Sequence, residues 1–218
     1  FESPKDIIKA AMQQFCLDRQ DGQDNYLECW VEKDALSGVL KRVTSKYHVP
    51  ILVNRGYSSV SSMYDSFVRF EMALRARQKV KIIYLGDFDP SGIDMIRDIE
   101  TRISEFLLGY ESQRYFPKFF HEAYPTKDEQ WKYLEEFNQD FTEEKDKFKL
   151  GEVIEMYEEG RRVEWVKENF EVIPIALNKH QVEQYDLPPN PAKTTDPRSK
   201  EFIATDGNES WEVDALNP

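Results

Sequence analysis

In a chain of 218 residues, 41 acidic against 29 basic side chains leave a net charge of -12, which argues against a protein whose whole surface grips nucleic acid while leaving room for a local basic strip. An apolar content of 40% suffices for a sizeable core, in one large domain or two small ones, and a mean hydropathy of -0.68 predicts no membrane span. Cys16 and Cys29 are too few for a zinc site and too far apart for a Cys-x-x-Cys motif, so both are expected as reduced thiols.

Residues 1–25 read as a helical lead-in. Within FESPKDIIKAAMQQF, Ile7, Ile8, Ala11, Met12 and Phe15 share a helical face among acidic neighbours. That order is unlike the basic-then-apolar order of a signal peptide, and a cytoplasmic, intracellular protein is expected.

From Tyr26 the pattern alternates strand and helix three times. YLECWVE is a short apolar strand, and KDALSGVLKRVTSKY carries Ala35, Leu36, Val39, Leu40 and Val43 at helical spacing. VPILVNRG is β-rich and closed by Gly56; SSVSSMYDSFVRFEMALRAR opens on serine caps and sets Val60, Met63, Phe67, Phe70 and Leu74 on one face. VKIIYLGDFD is the third strand, and SGIDMIRDIETRISEFLLG is predicted to bury Ile93, Ile96, Ile99, Ile103 and Phe106 before Gly109. Strands that are apolar almost throughout and alternate with helices imply a parallel sheet covered on both faces, with ligands at the carboxyl ends of its strands. Glu32, Asp87 and Asp89 all fall at such ends.

Residues 111–169 change to acidic, aromatic and helical character, an insertion with Gly151 and Gly160 as expected breaks. In residues 170–218, FEVIPIAL is a further strand and Asn178 caps a short helix through Tyr185. There follow a Pro-rich loop with Lys193, Arg198 and Lys200, and a tail, WEVDALNP, whose Trp211 is expected to pack against the sheet. His48, His121 and His180 have no metal-ligand spacing.

The stretch LGDFDPSG admits several chemistries. Asp, Pro, Ser and Gly end strands and start helices whatever their function. A calcium loop would follow a helix and end on glutamate at its twelfth position, whereas here a strand precedes and that position is Asp98. In an aspartate-nucleophile phosphatase, Asp87 would attack and Asp89 would shuttle the proton, on what is usually the first strand of the domain. Side chains alternate along a strand, so Asp87 and Asp89 point the same way if the strand continues through them, and Glu32 can join them in an all-oxygen cluster suited to Mg²⁺ or Mn²⁺.

WVEKDAL, RGYSS and LGDFDPSG resemble, in order and in placement, the glutamate motif, the middle glycine motif and the Asp-x-Asp motif of Toprim domains. The Asp-x-Asp-Pro-x-Gly form is similar to that of the DNA-cleaving chain of topoisomerase VI and its meiotic double-strand-break relatives. The resemblance covers residues 26–110, with residues 170–218 completing the domain. It implies an α/β, Rossmann-like Toprim fold with a central, mainly parallel sheet flanked by helices, plus a helical insertion. It further implies Mg²⁺- or Mn²⁺-dependent processing of nucleic-acid phosphodiesters, on DNA or alternatively RNA, by a Toprim-type nuclease or topoisomerase-like cleavage domain. Carried onto this chain, Glu32 is a metal ligand or general acid/base, and Asp87 and Asp89 are metal ligands. Lys33 is either a catalytic contact to phosphate or a solvated first-turn residue; Arg55, Lys193 and Arg198 are the candidate nucleic-acid contacts.

In the topoisomerase VI chain the cleaving tyrosine lies on a separate preceding domain, for which residues 1–25 are too short. A catalytic-domain fragment or a shortened relative is therefore expected. The implied partners are a tyrosine-bearing DNA-binding domain or an ATPase subunit. A non-catalytic module with a relic site, and the phosphatase using Asp87, stand as alternatives.

Overall fold

The computed structural model describes residues 3–8, 18–54, 56, 58–109, 116–143, 146–191 and 199–213. Elements follow in chain order: β1 (Asn25–Val31), α1 (Asp34–Thr44), β2 (Ile51–Val53), α2 (Val60–Arg75), β3 (Lys79–Leu85) and α3 (Pro90–Leu108). Helices α4 (Phe119–Ala123), α5 (Lys127–Phe137) and α6 (Leu150–Asn169) precede β4 (Phe170–Ala176). The chain continues with α7 (Lys179–Tyr185), β5 (Asn190–Pro191), α8 (Ser199–Asp206) and β6 (Glu209–Ser210).

The fold is α/β and Rossmann-like. Its central sheet is four-stranded, entirely parallel and flanked by helices, in the order β2-β1-β3-β4. Cys29, Trp30 and Val31 pair with Ile51, Leu52 and Val53. By contacts the chain divides into two compact units, one of Phe1–Ser58, Val80–Arg97 and Val172–Pro218, the other of Ser59–Lys79 and Asp98–Glu171.

In the first unit, side chains of successive strand residues lie on opposite faces of the sheet. On β3, Val80, Ile82 and Tyr84 are buried. On β1, Val31 belongs to an apolar cluster with Leu36, Ala176, Leu177, Val182 and Val213, against which Leu40, Phe88 and Trp211 pack. Trp211 thus joins the sheet's core as its sequence context predicts. The alternate residues of β1 bring Glu28 into the interior, where it accepts hydrogen bonds from Tyr26 Oη at 3.0 Å and Trp30 Nε1 at 2.9 Å. Those donors compensate the loss of water that makes an isolated buried carboxylate costly. Cys29 is a buried free thiol, and burial pushes its pKa up to about 11; Cys16 lies outside the described residues. Asn178 caps α7 in a reciprocal box with Gln181, at 3.0 and 3.1 Å.

The second unit holds an aromatic cluster. Phe120 is fully buried, with the rings of Tyr124, Tyr133 and Tyr157 at 5.0, 5.5 and 5.4 Å. Glu158, buried on α6, accepts the backbone N–H of Phe120 at 3.0 Å and so ties α4 to that helix.

Two expectations are corrected. Gly151 and Gly160 do not break the chain: α6 runs through both as a single helix of 20 residues. A glycine inside a helix costs only about 1 kcal/mol relative to alanine, and burial of Val153 and Val166 outweighs it. Met63, Phe67, Phe70, Ile99 and Ile103 are buried as their spacing predicts, but Val39, Val43, Val60 and Ile93 are exposed. Periodicity fixes which residues share a helical face; burial depends on how far along the helix that face is covered. Among the described residues no helix is long and apolar enough to cross a membrane.

This division of apolar residues has a measurable consequence. Ile82→Ala, at a fully buried position, is expected to lower stability by about 2–5 kcal/mol. Val60→Ala, at a position 67% exposed, is expected to change it by no more than about 0.5 kcal/mol. Urea unfolding midpoints of the two variants test the pair, and equal losses would contradict the assigned burial.

Candidate functional site

The strand order reverses between β1 and β3: the chain leaves β1 towards β2 on one side and leaves β3 towards β4 on the other. Such a reversal in a parallel sheet opens a crevice beyond the carboxyl ends of the two strands, where α/β proteins bind ligands. Glu32 follows β1 and Asp87 stands two residues past β3, so the crevice opens between them.

Backbone and side chains join the two ends. The N–H of Glu32 donates to Leu85 O at 2.9 Å, continuing the ladder past β1. Gly86 extends the other side, donating to Ala176 O and accepting from Leu177 N, both at 2.8 Å. The N–H of Asp87 then donates to Glu32 Oε2 at 2.9 Å. A glutamate from one motif therefore receives the backbone of an aspartate from another, 55 residues away.

Two glycines make this approach possible. A Cβ on Gly86 would stand 2.5 Å from Tyr84 Cε1 and 3.0 Å from Glu32 Oε2. A Cβ on Gly92 would run into the carbonyl oxygen of Asp87. The glycine of Asp-x-Asp-Pro-x-Gly is thus fixed by sterics: the first turn of α3 lies against the backbone that carries Asp87. Asp89 Oδ1 accepts the N–H of Gly92 at 2.7 Å, and Pro90 begins α3, where a missing N–H costs nothing. The helix-capping reading of this stretch is realised in Asp89 without removing its charge from the site.

The C-terminal tail closes the arrangement. Phe88 and Trp211 exchange two backbone hydrogen bonds, at 2.8 and 3.0 Å. The next residues then face the site: Val213 N–H donates to Asp87 Oδ1 at 2.8 Å, and Glu212 Oε2 accepts from Lys33 Nζ at 2.9 Å. Lys33 Nζ also lies 3.4 Å from Asp87 Oδ1.

The electrostatics follow from burial and crowding. Burial pushes the Glu32 carboxyl up to about 7. The Asp87 N–H opposes that shift, the charges of Asp87 and Asp89 add to it, and Lys33 pulls the other way. Asp87 is raised as well, by burial first, against the Val213 N–H and Lys33, with Asp89 adding to the rise. The phenol of Tyr84, buried beneath, is raised by desolvation and then by the charges of Glu32, Asp87 and Asp89.

Of the residues expected to form the site, the fold brings Glu32, Lys33 and Asp87 into direct contact and holds Asp89 within reach of their charge. Arg55, Lys193 and Arg198 lie outside the described residues. Among the described residues no three His, Cys, Asp or Glu side chains are gathered as a ready metal-ligand set. One oxygen of each carboxylate is engaged by the chain itself: Glu32 Oε2, Asp87 Oδ1 and Asp89 Oδ1. Glu212 and the Val213 N–H have no counterpart among the motifs read from the sequence. The alternation of Trp211 and Val213 about Glu212 is the one local sign that the tail turns a carboxylate away from the core.

Compared with protein-family models, curated proteins and solved structures, the chain matches none.

The raised carboxyl of Glu32 links the site to stability. Between its ordinary 4.5 and about 7 the folded chain holds a proton at Glu32 that the unfolded chain has lost. Stability therefore falls as pH rises through that window, and Asp87, raised in the same sense, adds to the fall. Glu32→Gln keeps an acceptor for Asp87 N–H without the charge. It is expected to flatten the slope and to be at least as stable as the wild type at about pH 8. Urea midpoints at acidic and mildly alkaline pH measure this; an unchanged slope would mean that Glu32 titrates normally.

Proposed function

We propose that this chain carries the metal-dependent acidic site of a Toprim-type domain that cleaves or processes nucleic-acid phosphodiesters, with DNA as the substrate. The observation that carries this reading is the hydrogen bond from Asp87 N–H to Glu32 at the topological switch of the sheet, which unites the glutamate motif with the Asp-x-Asp motif.

Glu32, Asp87 and Asp89 are the residues that would hold Mg²⁺ or Mn²⁺. All three offer hard oxygen donors, which suit those ions rather than zinc. The mutual raising of Glu32 by its two neighbours marks a local excess of negative charge that a divalent cation would relieve. With one oxygen of each carboxylate fixed by the chain, the opposite oxygens are left for the ion. Bound metal supplies neutralisation of the phosphate and of the leaving oxygen. Where Glu32 does not itself bind the ion, its carboxyl, pushed up to about 7 by burial, is placed to give or take a proton near neutral pH. Lys33, positive beside Asp87, is the counter-charge for an incoming phosphate.

The net charge of -12 restricts nucleic-acid contacts to a local strip, for which Arg55, Lys193 and Arg198 remain the candidates. The nucleophile is a water molecule, or a tyrosine supplied by another domain.

Calorimetry with Mn²⁺ and the double variant Asp87→Asn/Asp89→Asn tests the site. The expected loss of affinity exceeds the roughly 10–100-fold that removing an outer-shell partner costs. Supercoiled DNA incubated in Mn²⁺ separates the two nucleophiles: nicking by the wild type that is lost in Glu32→Ala marks water, inertness marks a fragment awaiting its tyrosine domain, and no covalent protein–DNA band is expected on denaturing gels. Equal Mn²⁺ affinity in the double variant would overturn the assignment.

A further inference from the structure

We infer that Glu212 is a positioning residue of the acidic site: by holding the Lys33 ammonium, it sets how much positive charge rests on Asp87 and so tunes the site's affinity for a divalent cation. This inference rests on the reading of Glu32, Asp87 and Asp89 as cation ligands.

Three placements support it. Lys33 Nζ stands between two carboxylates, 2.9 Å from Glu212 Oε2 and 3.4 Å from Asp87 Oδ1. The nearer partner is the more exposed one, the Glu212 side chain at 56% against 13% for Asp87, so the ammonium leans away from the aspartate and towards the tail. The tail is also fixed at both sides of Glu212: Trp211 by its backbone pair with Phe88, and Val213 by burial in the apolar cluster and by its N–H on Asp87. The geometry of Glu212 is therefore set by its neighbours.

The consequence is a competition between charges. Lys33 and a divalent cation seek the same aspartate, and Coulomb interaction between groups this close is strong in a partly buried site. Glu212 draws the ammonium away from Asp87. With Glu212 neutralised, more of that charge falls on Asp87 and opposes the metal. An exposed ion pair contributes little to folding, so the effect belongs in metal affinity rather than in stability.

A double-mutant cycle on Mn²⁺ binding, read by calorimetry, tests this with Glu212→Gln, Lys33→Met and the pair together. Glu212→Gln is expected to weaken Mn²⁺ binding and Lys33→Met to tighten it. In the Lys33→Met background Glu212→Gln should lose most of its effect, a coupling of about threefold or more, as for charges in contact. Urea midpoints of the single variants should stay close to that of the wild type, which shows that the tail remains docked. If the effect of Glu212→Gln persists undiminished without Lys33, Glu212 acts only through its own charge and the inference is overturned. If it has no effect while the wild type binds Mn²⁺, the inference fails and the metal site stands. If the wild type binds no Mn²⁺, the metal site itself fails and the inference with it.

Discussion

Carboxylates at the ends of adjacent parallel strands repel one another, and the carboxyl edge of this sheet is organised around that repulsion. Asp87 N–H on Glu32, Val213 N–H on Asp87 and Gly92 N–H on Asp89 give each side chain one backbone donor. Backbone donors hold a carboxylate in place while contributing only partial positive charge. The negative potential is therefore tempered but kept, and it adds to the burial that holds the Glu32 proton to near neutrality. Lys33 is the ammonium in contact with Asp87, and it is shared with Glu212.

Close approach of backbones is what makes such donation possible. Gly86 and Gly92 sit where any side chain would separate the strand ends from Glu32 or from the first turn of α3. Their role is spatial: neither has the positive φ that reserves a position for glycine. An alanine at Gly92 would displace the carbonyl of Asp87, and with it the N–H that reaches Glu32. The charged residues and the glycines are parts of a single constraint.

The sheet was legible in the sequence because its strands are short apolar runs closed by turn residues, and β1, β2 and β3 fall where YLECWVE, VPILVNRG and VKIIYLGDFD place them. The partnership of Glu32 with Asp87 was legible through strand-end position alone, since a parallel sheet brings carboxyl ends to one edge. Local pattern misled where tertiary packing decided. Gly151 and Gly160 read as breaks because propensity is local, whereas the buried side of α6 holds the helix together. Val60 read as core because periodicity does not say how far along a helix the covering extends. Glu212 was not legible: its role depends on a lysine 179 residues earlier, and no spacing encodes that. Asp89 caps the first turn of α3 while its charge still reaches Glu32, so capping does not exclude the proposed role of LGDFDPSG.

The unit that carries the site is assembled from three separate stretches of chain, and the last begins at Val172. During synthesis from the N-terminus, Glu32 and Asp87 leave the ribosome while β4 and the tail are still untranslated. The other unit has its full complement of residues by Glu171. Contacts spanning 126 and 179 residues, Val213 to Asp87 and Lys33 to Glu212, close only once the tail is present. Closing loops that long costs chain entropy, which the local packing of β4 and α7 must first offset. A nascent chain would thus present Glu32 and Asp87 before the tail that braces them, and Asp87 and Lys33 would meet Val213 and Glu212 only afterwards.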